Sequence, residues 1–212
     1  LAESKRGHLT PLLVYSDLYL IDENGAFNGV TYYESSSMYA ASKPYYTTFA
    51  VLNVAAGCSM MINKALQQLA LPFSAEAVMH DWWLVLIASV AGEAIFVDTV
   101  HVSYRQHTDN VVGSKDDFVG VLSKLRSPVN LLAQQKKNYY SSVRQLLAVM
   151  ELLEGEGFSL PIELISFREA ILNNKVGRIF PLLNGDINRQ GLLRSITYCM
   201  GLIQNINVNF KV

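Results

Sequence analysis

The chain has 212 residues, of which 50% are hydrophobic and 17% are charged, and its formal net charge is −1. This length allows one large domain, or a domain with an appendage, around a real core. The near-zero charge gives no sign of the basic face of a nucleic-acid-binding protein, so no nucleic-acid partner is expected, although local basic patches stay open. The two cysteines, Cys58 and Cys199, form no disulfide framework and fit a reducing compartment, which predicts a cytoplasmic protein. The longest apolar stretch, residues 82–91, is shorter than the roughly 20 residues that span a bilayer.

The first part of the chain alternates strand and helix patterns. An apolar run predicts a buried strand over residues 12–21, closed by a turn at 22–25. The polar, serine-rich segment 34–45 predicts a loop, and residues 46–55 a helix. Residues 57–63 predict a short buried strand.

Stop signals define the elements that follow. A helix is expected over residues 64–70, ending before Pro72, and a second over residues 81–91, ending at Gly92. The mostly apolar run 94–104 predicts a strand. Strands that alternate with helices favour an α/β layered sheet.

The pattern becomes helical after Gly113. Residues 116–154 and 161–204 have helical periodicity, and glycines at 155 and 157 with Pro161 separate them. Two apolar stripes are expected to face a core: Val143, Leu146, Leu147, Met150 and Leu153, and Leu192, Ile196, Cys199, Met200 and Ile203. We therefore place a boundary near residues 114–118, between a domain at 1–115 and a helical extension at 116–212.

Asp81 stands in a polar motif, His80-Asp81-Trp82-Trp83, at the start of a predicted helix. One interpretation is structural, because aspartate is a favoured N-cap. The other is catalytic, since a rigid and partly desolvated carboxylate can take a proton from an attacking hydroxyl. Trp82 and Trp83 point to different sides of the helix, so one is expected in the core while the other can offer a flat face to a sugar.

A second polar motif, Tyr104-Arg105-Gln106-His107-Thr108-Asp109-Asn110, follows the predicted strand. Arg105 can bind phosphate through a forked pair of hydrogen bonds. His107 can ligate a divalent metal or donate to a phosphate oxygen, while Asn110 can order the loop. The motif predicts half of an anion or metal-phosphate site, although a loop histidine is often only a solvated side chain.

Gly57-Cys58-Ser59 forms a third motif, before a predicted strand. Glycine there permits a close backbone approach to a ligand, but is also common in simple turns. Cys58 has the size and polarity of a small buried hydrophobe.

Four segments resemble the bacterial family 2 glycosyltransferases of GT-A fold, nearest the rhamnosyltransferase-like branch that builds cell-surface polysaccharides. They are PLLVYSDLYLIDENG, NVAAGCSMMINKAL, MHDWWLVLIASVAG and VSYRQHTDNVVGSK, in the family's order. The resemblance covers about residues 10–115. It implies a Rossmann-like mixed sheet with flanking helices, here as the C-terminal part of a GT-A domain.

The resemblance also implies roles for individual residues. Asp81 matches the catalytic base, with His80 in place of the usual acidic neighbour, and His107 matches a contact to the metal or the donor diphosphate. The residues implied in donor and acceptor binding are Gly57, Cys58, Ser59, His80, Trp82, Trp83, Arg105, Gln106 and Asn110.

The implied reaction is an inverting transfer of a sugar, with rhamnose as one candidate, from a nucleotide-diphosphate donor to a glycan or lipid-linked acceptor. Mg²⁺ or Mn²⁺ is the expected cofactor of the full-length enzyme. The family's N-terminal βαβ units and Asp-rich metal motif are not found within residues 1–212. We therefore expect a C-terminal portion of a transferase of roughly 300 residues, inactive alone and prone to self-association through exposed apolar sheet surfaces.

Two other readings stay open. The chain can be a non-catalytic binding or assembly module whose helical region docks a partner, or a metal-dependent hydrolase that uses Asp81 and His107. The second is disfavoured because no further ligand has metal-site spacing. Basic residues of the helical region also leave peripheral contact with the inner face of the cytoplasmic membrane open: Lys136, Lys137, Arg144, Arg189 and Arg194.

Overall fold

The computed structural model describes residues 10–106 and 128–173, together with Gln190, Ser195 and Tyr198. Over these residues the chain is a mixed α/β protein with one open four-stranded sheet and six α-helices. The coarse α/β prediction is therefore confirmed. The boundary at 114–118 and all five residues of the second apolar stripe fall outside the described residues.

Strand β1, Leu12–Ile21, organises the sheet, as its apolar run predicts. β4, Glu93–Arg105, runs parallel to it along both halves. β3, Met60–Ile62, pairs antiparallel with the first half of β1, and β2, Phe27–Thr31, with the second. β4 therefore faces both short strands across β1.

The pairing of β1 with β4 is interrupted once. Ser16 pairs with Val97, but Leu18 pairs with Val102, so β4 carries extra residues between these two positions. A bulge of this kind bends a strand and redirects its side chains. Asp98 and Thr99 lie in the bulge, opposite Asp17 of β1.

Two helices begin and end where the sequence predicts. Asn63 caps α3, Lys64–Ala70, by accepting a hydrogen bond from the backbone N–H of Leu66. α4 is His80–Ala91, one residue longer than predicted, with Gly92 at its C-cap. The predicted strand at 94–104 is also confirmed, as β4.

The segment between β1 and α3 departs from the predictions. The expected loop at 34–45 starts inside a helix, α1, Tyr32–Ser36, which a capping box of Thr31 and Glu34 begins. The expected helix at 46–55 is a single turn, α2, Tyr46–Phe49. It goes no further because the Asn53 side chain accepts from the backbone N–H of Ala55, which competes with helix formation.

The predicted buried strand at 57–63 is wrong in two respects. Gly57–Ser59 forms a 3-10 turn before β3 begins at Met60. Met61 is 72% exposed. It is in register with Val14 of β1, and Val14 in turn pairs with Ile95 of β4. These three side chains share the face opposite to Leu13, since neighbouring residues of a strand alternate faces. The expected self-association stays a prediction.

Helix α4 lies inside the core. It packs against the sheet on one side and against α5, Pro128–Gly155, on another. Five consecutive residues are therefore buried: Trp83, Leu84, Val85, Leu86 and Ile87. The predicted stripe on α5 is buried, from Val143 to Leu153, in the same hydrophobic core as β1. The helices after residue 128 therefore complete the core of the described part of the chain.

The later helices also hold the loops of the first part. The Gln145 side chain of α5 accepts from the Val78 N–H at 2.7 Å, and Arg144 pairs with Glu76. Glu163 of α6, Ile162–Asn173, accepts from the Tyr46 hydroxyl at 3.0 Å. Gln190 accepts from the Tyr39 N–H and donates to its carbonyl oxygen.

None of the helices, over the residues that the structure describes, is both long enough and apolar enough to cross a membrane.

Candidate functional site

Asp81 lies in the first turn of α4, where the partial positive charge of the helix N-terminus favours a carboxylate. It is not the N-cap that one interpretation of the sequence expects. Met79 occupies that position, with extended backbone and no capping side chain. Because Asp81 starts one residue inside the helix, its side chain turns back toward the loop before β3.

The Asp81 carboxylate is only 7% exposed and accepts three hydrogen bonds. Its Oδ1 accepts from Asn53 Nδ2 at 3.0 Å and from the Trp82 N–H at 2.7 Å. Its Oδ2 accepts from the Gly57 N–H at 3.0 Å. No ion pair reaches it within the described part of the chain. The charge is therefore held by neutral donors alone.

Gly57 leaves open the space beside Oδ2. A Cβ on Gly57 would lie 2.6 Å from His80 Nε2 and 3.2 Å from Asp81 Oδ2. The imidazole and the carboxylate oxygen thus border the same small volume, and His80 is exposed. The close approach at Gly57 serves these two side chains, so it does not require a ligand.

Cys58 and Ser59 have different surroundings. Cys58 is exposed, contrary to the expectation of a buried hydrophobe. Partial desolvation raises the pKa of its thiol, and the negative charge of Asp81 raises it further. Ser59 donates from Oγ to the Ser16 carbonyl at 2.7 Å, which fixes the 3-10 turn against β1.

The two tryptophans diverge as predicted. Trp83 is 2% exposed and donates from Nε1 to the Ala70 carbonyl, so it is a core residue. Trp82 is half-buried and donates from Nε1 to the Phe49 carbonyl at 2.6 Å. That bond ties the start of α4 to α2, whether or not the ring also offers a face to a sugar.

Arg105 and Gln106 lie at the other end of the sheet. Arg105 pairs with Ile21, whereas the Gly57–Ser59 turn is anchored at Ser16. The five steps along β1 from Ser16 to Ile21 cover roughly 16 Å of strand. Arg105 donates to the Glu23 carbonyl at 2.6 Å, and the Gln106 N–H donates to the Ile21 carbonyl. His107 and Asn110 fall outside the described residues, so the structure does not place them relative to Asp81.

A divalent metal has no ligand set over residues 10–106 and 128–173, where no group of three His, Cys, Asp or Glu side chains is close enough to hold one. The residues described do not fit such an ion by themselves. The expected Mg²⁺ or Mn²⁺ therefore stays a prediction for the full-length enzyme, and no step below passes through it.

A separate cleft of about 430 Å³ opens at the β4 bulge. Asp17, Glu34 and Asp98 line it, with Tyr39 and Phe96. Asp17 is buried and accepts from the backbone N–H groups of Leu18 and Tyr33. Three carboxylates would repel a diphosphate, so this cleft is a poor candidate for the donor phosphates.

Asn53 was missed by the sequence analysis, although it bonds Asp81 directly. It stands alone in the apolar run VLNVAAG, and that isolation is the signal that could have identified it. Tyr33 was missed as well. Its hydroxyl donates to the Val54 carbonyl at 2.8 Å and so links α1 to the loop that contains Asn53.

Comparisons with known proteins add no assignment. No family model matches the chain, and neither a curated protein nor a solved structure matches it.

Proposed function

We propose that this chain supplies the acceptor-side half of the active site of a nucleotide-sugar-dependent glycosyltransferase of the GT-A, family 2 type, with Asp81 as the general base. The observation that carries the proposal is the state of the Asp81 carboxylate. It is buried, and among the described residues it has no cationic partner and only one donor to its second oxygen, the Gly57 N–H.

The chemistry follows from the capacity of each oxygen to accept hydrogen bonds. An ionised carboxylate oxygen has two lone pairs in the favoured directions. Oδ1 accepts two hydrogen bonds from this chain, whereas Oδ2 accepts one from the described residues and so has capacity for a second. An acceptor hydroxyl that reached this lone pair would give its proton to Oδ2 as its oxygen attacks the anomeric carbon. The bond from that carbon to the nucleotide diphosphate breaks, and the diphosphate leaves with the bonding electrons.

Preorganisation favours the same assignment. A base held by three fixed hydrogen bonds and a helix terminus needs no reorientation at the moment of proton transfer. The geometry supports a base without naming the donor sugar, for which rhamnose remains the candidate from the resemblance. A glycan or lipid-linked acceptor and a cytoplasmic site of action belong to the same proposal.

The test uses the full-length product of the gene, assayed with dTDP-L-rhamnose, UDP-glucose and UDP-galactose and an extract of lipid-linked glycans. We expect transfer from one donor, and a loss of about 10³-fold or more in kcat for Asp81→Asn, since general-base catalysis contributes typically 10²- to 10⁴-fold. Asp22→Asn is the matched control, because Asp22 also accepts backbone hydrogen bonds but lies in the β1–β2 turn. Undiminished transfer by Asp81→Asn would remove Asp81 from the base role, and absence of transfer from all donors would favour the binding-module alternative.

A further inference from the structure

We infer that Asn53 is a positioning residue that directs the base, by committing Oδ1 of Asp81 to the protein and leaving Oδ2 for the substrate. The inference rests on the proposed function for its catalytic meaning. Its structural content, that Asn53 fixes the rotation of the Asp81 carboxylate and the position of the Gly57 N–H, stands independently of any reaction.

The Asn53 side chain is held by two hydrogen bonds. Its Nδ2 donates to Asp81 Oδ1 at 3.0 Å, and its Oδ1 accepts from the Ala55 N–H at 3.0 Å. Both ends of the amide are therefore engaged, which fixes its orientation between the loop and α4. A side chain held at both ends can hold a third group in place.

The Asp81 carboxylate is held to the loop through both of its oxygens. The Trp82 N–H at Oδ1 belongs to the residue next to Asp81 and moves with it, so it cannot fix the carboxylate relative to the loop. The loop contributes two donors, Asn53 Nδ2 to Oδ1 and the Gly57 N–H to Oδ2. With one loop donor on each oxygen, rotation of the carboxylate about its Cβ–Cγ bond would break both contacts.

The loop from Asn53 to Gly57 is itself held against the core. Ala55 is buried, and the Val54 carbonyl accepts from Tyr33, so the backbone between Asn53 and Gly57 is itself anchored to the core. Removing the Asn53 amide would leave Oδ1 with only its neighbour's N–H. Only one contact from the loop, the Gly57 N–H to Oδ2, would then oppose rotation of the carboxylate.

The test compares Asn53→Ala and Asn53→Asp with a matched control, Asn63→Ala. Asn63 is likewise an asparagine whose amide is bonded at both ends, with three contacts against two for Asn53, since it accepts from Leu12 and Leu66 and donates to Thr10, but its contacts lie at the start of α3. The Asn53→Asp variant keeps the shape and the acceptor while replacing the donor to Oδ1 with a second carboxylate. Its cost therefore combines the lost donor with the repulsion of two carboxylates at nearly constant side-chain volume, whereas Asn53→Ala removes the donor without adding a charge.

Two readouts separate positioning from folding and from the reaction itself. The first is amide hydrogen exchange of Gly57 in the 212-residue chain, corrected for global stability measured by urea unfolding. We expect exchange to speed up about tenfold or more in both Asn53 variants and to stay unchanged in Asn63→Ala. Unchanged Gly57 exchange in the Asn53 variants would overturn the inference.

The second readout is the kinetic split in the full-length enzyme. Misplacing a catalytic group by about 1 Å can cost about 10²-fold, so we expect kcat to fall 10- to 100-fold in the Asn53 variants with the KM for the donor within about twofold. Equal kcat in Asn53→Ala and Asn63→Ala would contradict the positioning role. If the wild-type enzyme transfers no sugar, the proposed function fails, and the Gly57 exchange alone decides on Asn53.

Discussion

The two ends of α4 each meet a glycine at close range, and the atoms opposite those glycines differ. At the start of the helix, a Cβ on Gly57 would meet the tip of His80 and Asp81 Oδ2, at 2.6 and 3.2 Å. At the other end, a Cβ on Gly92 would lie 1.9 Å from the carbonyl oxygen of Pro11 and 2.9 Å from its carbon. Gly57 makes room for the end of an exposed side chain, His80, and for a carboxylate oxygen, whereas Gly92 makes room for a backbone that cannot move aside.

This difference indicates what each end of the helix does. Pro11 directly precedes β1, and its carbonyl accepts from the Glu93 N–H at 3.0 Å, so the contact at Gly92 holds β1 and β4 side by side. The Gly57 contact holds nothing in the sheet together. The end at Gly92 therefore determines stability, whereas the end at Gly57 determines the geometry around Asp81.

Gly92→Ala should have the largest effect. The added Cβ cannot fit against the Pro11 backbone, so β1 and β4 must separate locally, at a cost on the order of 3 kcal/mol or more. Urea unfolding of the 212-residue chain measures the change. Gly155→Ala is the control, because a Cβ there meets nothing within 4 Å, and it should be neutral. A stable Gly92→Ala variant would remove the contrast between the two ends of α4.

Asp81→Asn should come next in its cost to folding. An amide NH₂ would replace one carboxylate oxygen and would face either Asn53 Nδ2 or the Gly57 N–H, both of which are donors. A buried mismatch of this kind costs about 1–3 kcal/mol. The same unfolding experiment measures it, with the exposed-turn variant Asp22→Asn expected within about 0.5 kcal/mol of wild type. If Asp81→Asn and Asp22→Asn were equally stable, the three hydrogen bonds at position 81 would not depend on a carboxylate.

Gly57→Ala should separate function from stability. The clash at 2.6 Å is with the end of an exposed side chain, which can rotate away. We therefore expect a loss of stability below about 1 kcal/mol, together with a fall in transfer rate of about tenfold because the added methyl crowds Oδ2. Comparison of kcat with urea midpoints measures both effects. If the urea midpoint of Gly57→Ala were far below that of the wild type, the start of α4 would have the same structural role as its end.

The smallest predicted effect is on the reactivity of Cys58. Burial and the Asp81 charge raise the pKa of its thiol, so at pH 8 less thiolate is present and iodoacetamide should react more slowly than with a free thiol. Removing the charge in Asp81→Asn should lower that pKa and speed alkylation, by about threefold if the shift is half a pH unit. A Cys199→Ser background isolates Cys58. An unchanged rate would place Cys58 outside the electrostatic reach of Asp81.

Local signals in the sequence were sufficient for some elements. The bounds of α3 and the end of α4 were predictable, because each is set by a residue next to it in the sequence: Asn63, Pro72 or Gly92. The capping box of Thr31 and Glu34 was equally local and was overlooked in a serine-rich segment.

The rest depends on contacts between distant parts of the chain. Asn53 and Asp81 are 28 residues apart and show no shared motif. The sequence analysis therefore placed Asp81 at the start of a helix, but it could not find the residue that orients its carboxylate. The single-turn length of α2 has the same origin, since Asn53 redirects the backbone after it.

The paired hydrogen bonds of Gln190 have a consequence for synthesis on the ribosome. Gln190 binds both backbone polar groups of Tyr39, and the two residues are 151 positions apart. The sheet and α4 can assemble while translation continues, but the segment at Tyr39, which borders the acidic cleft, gains these two bonds only after Gln190 has left the exit tunnel. The cleft is therefore among the last features of the nascent chain to reach its final form.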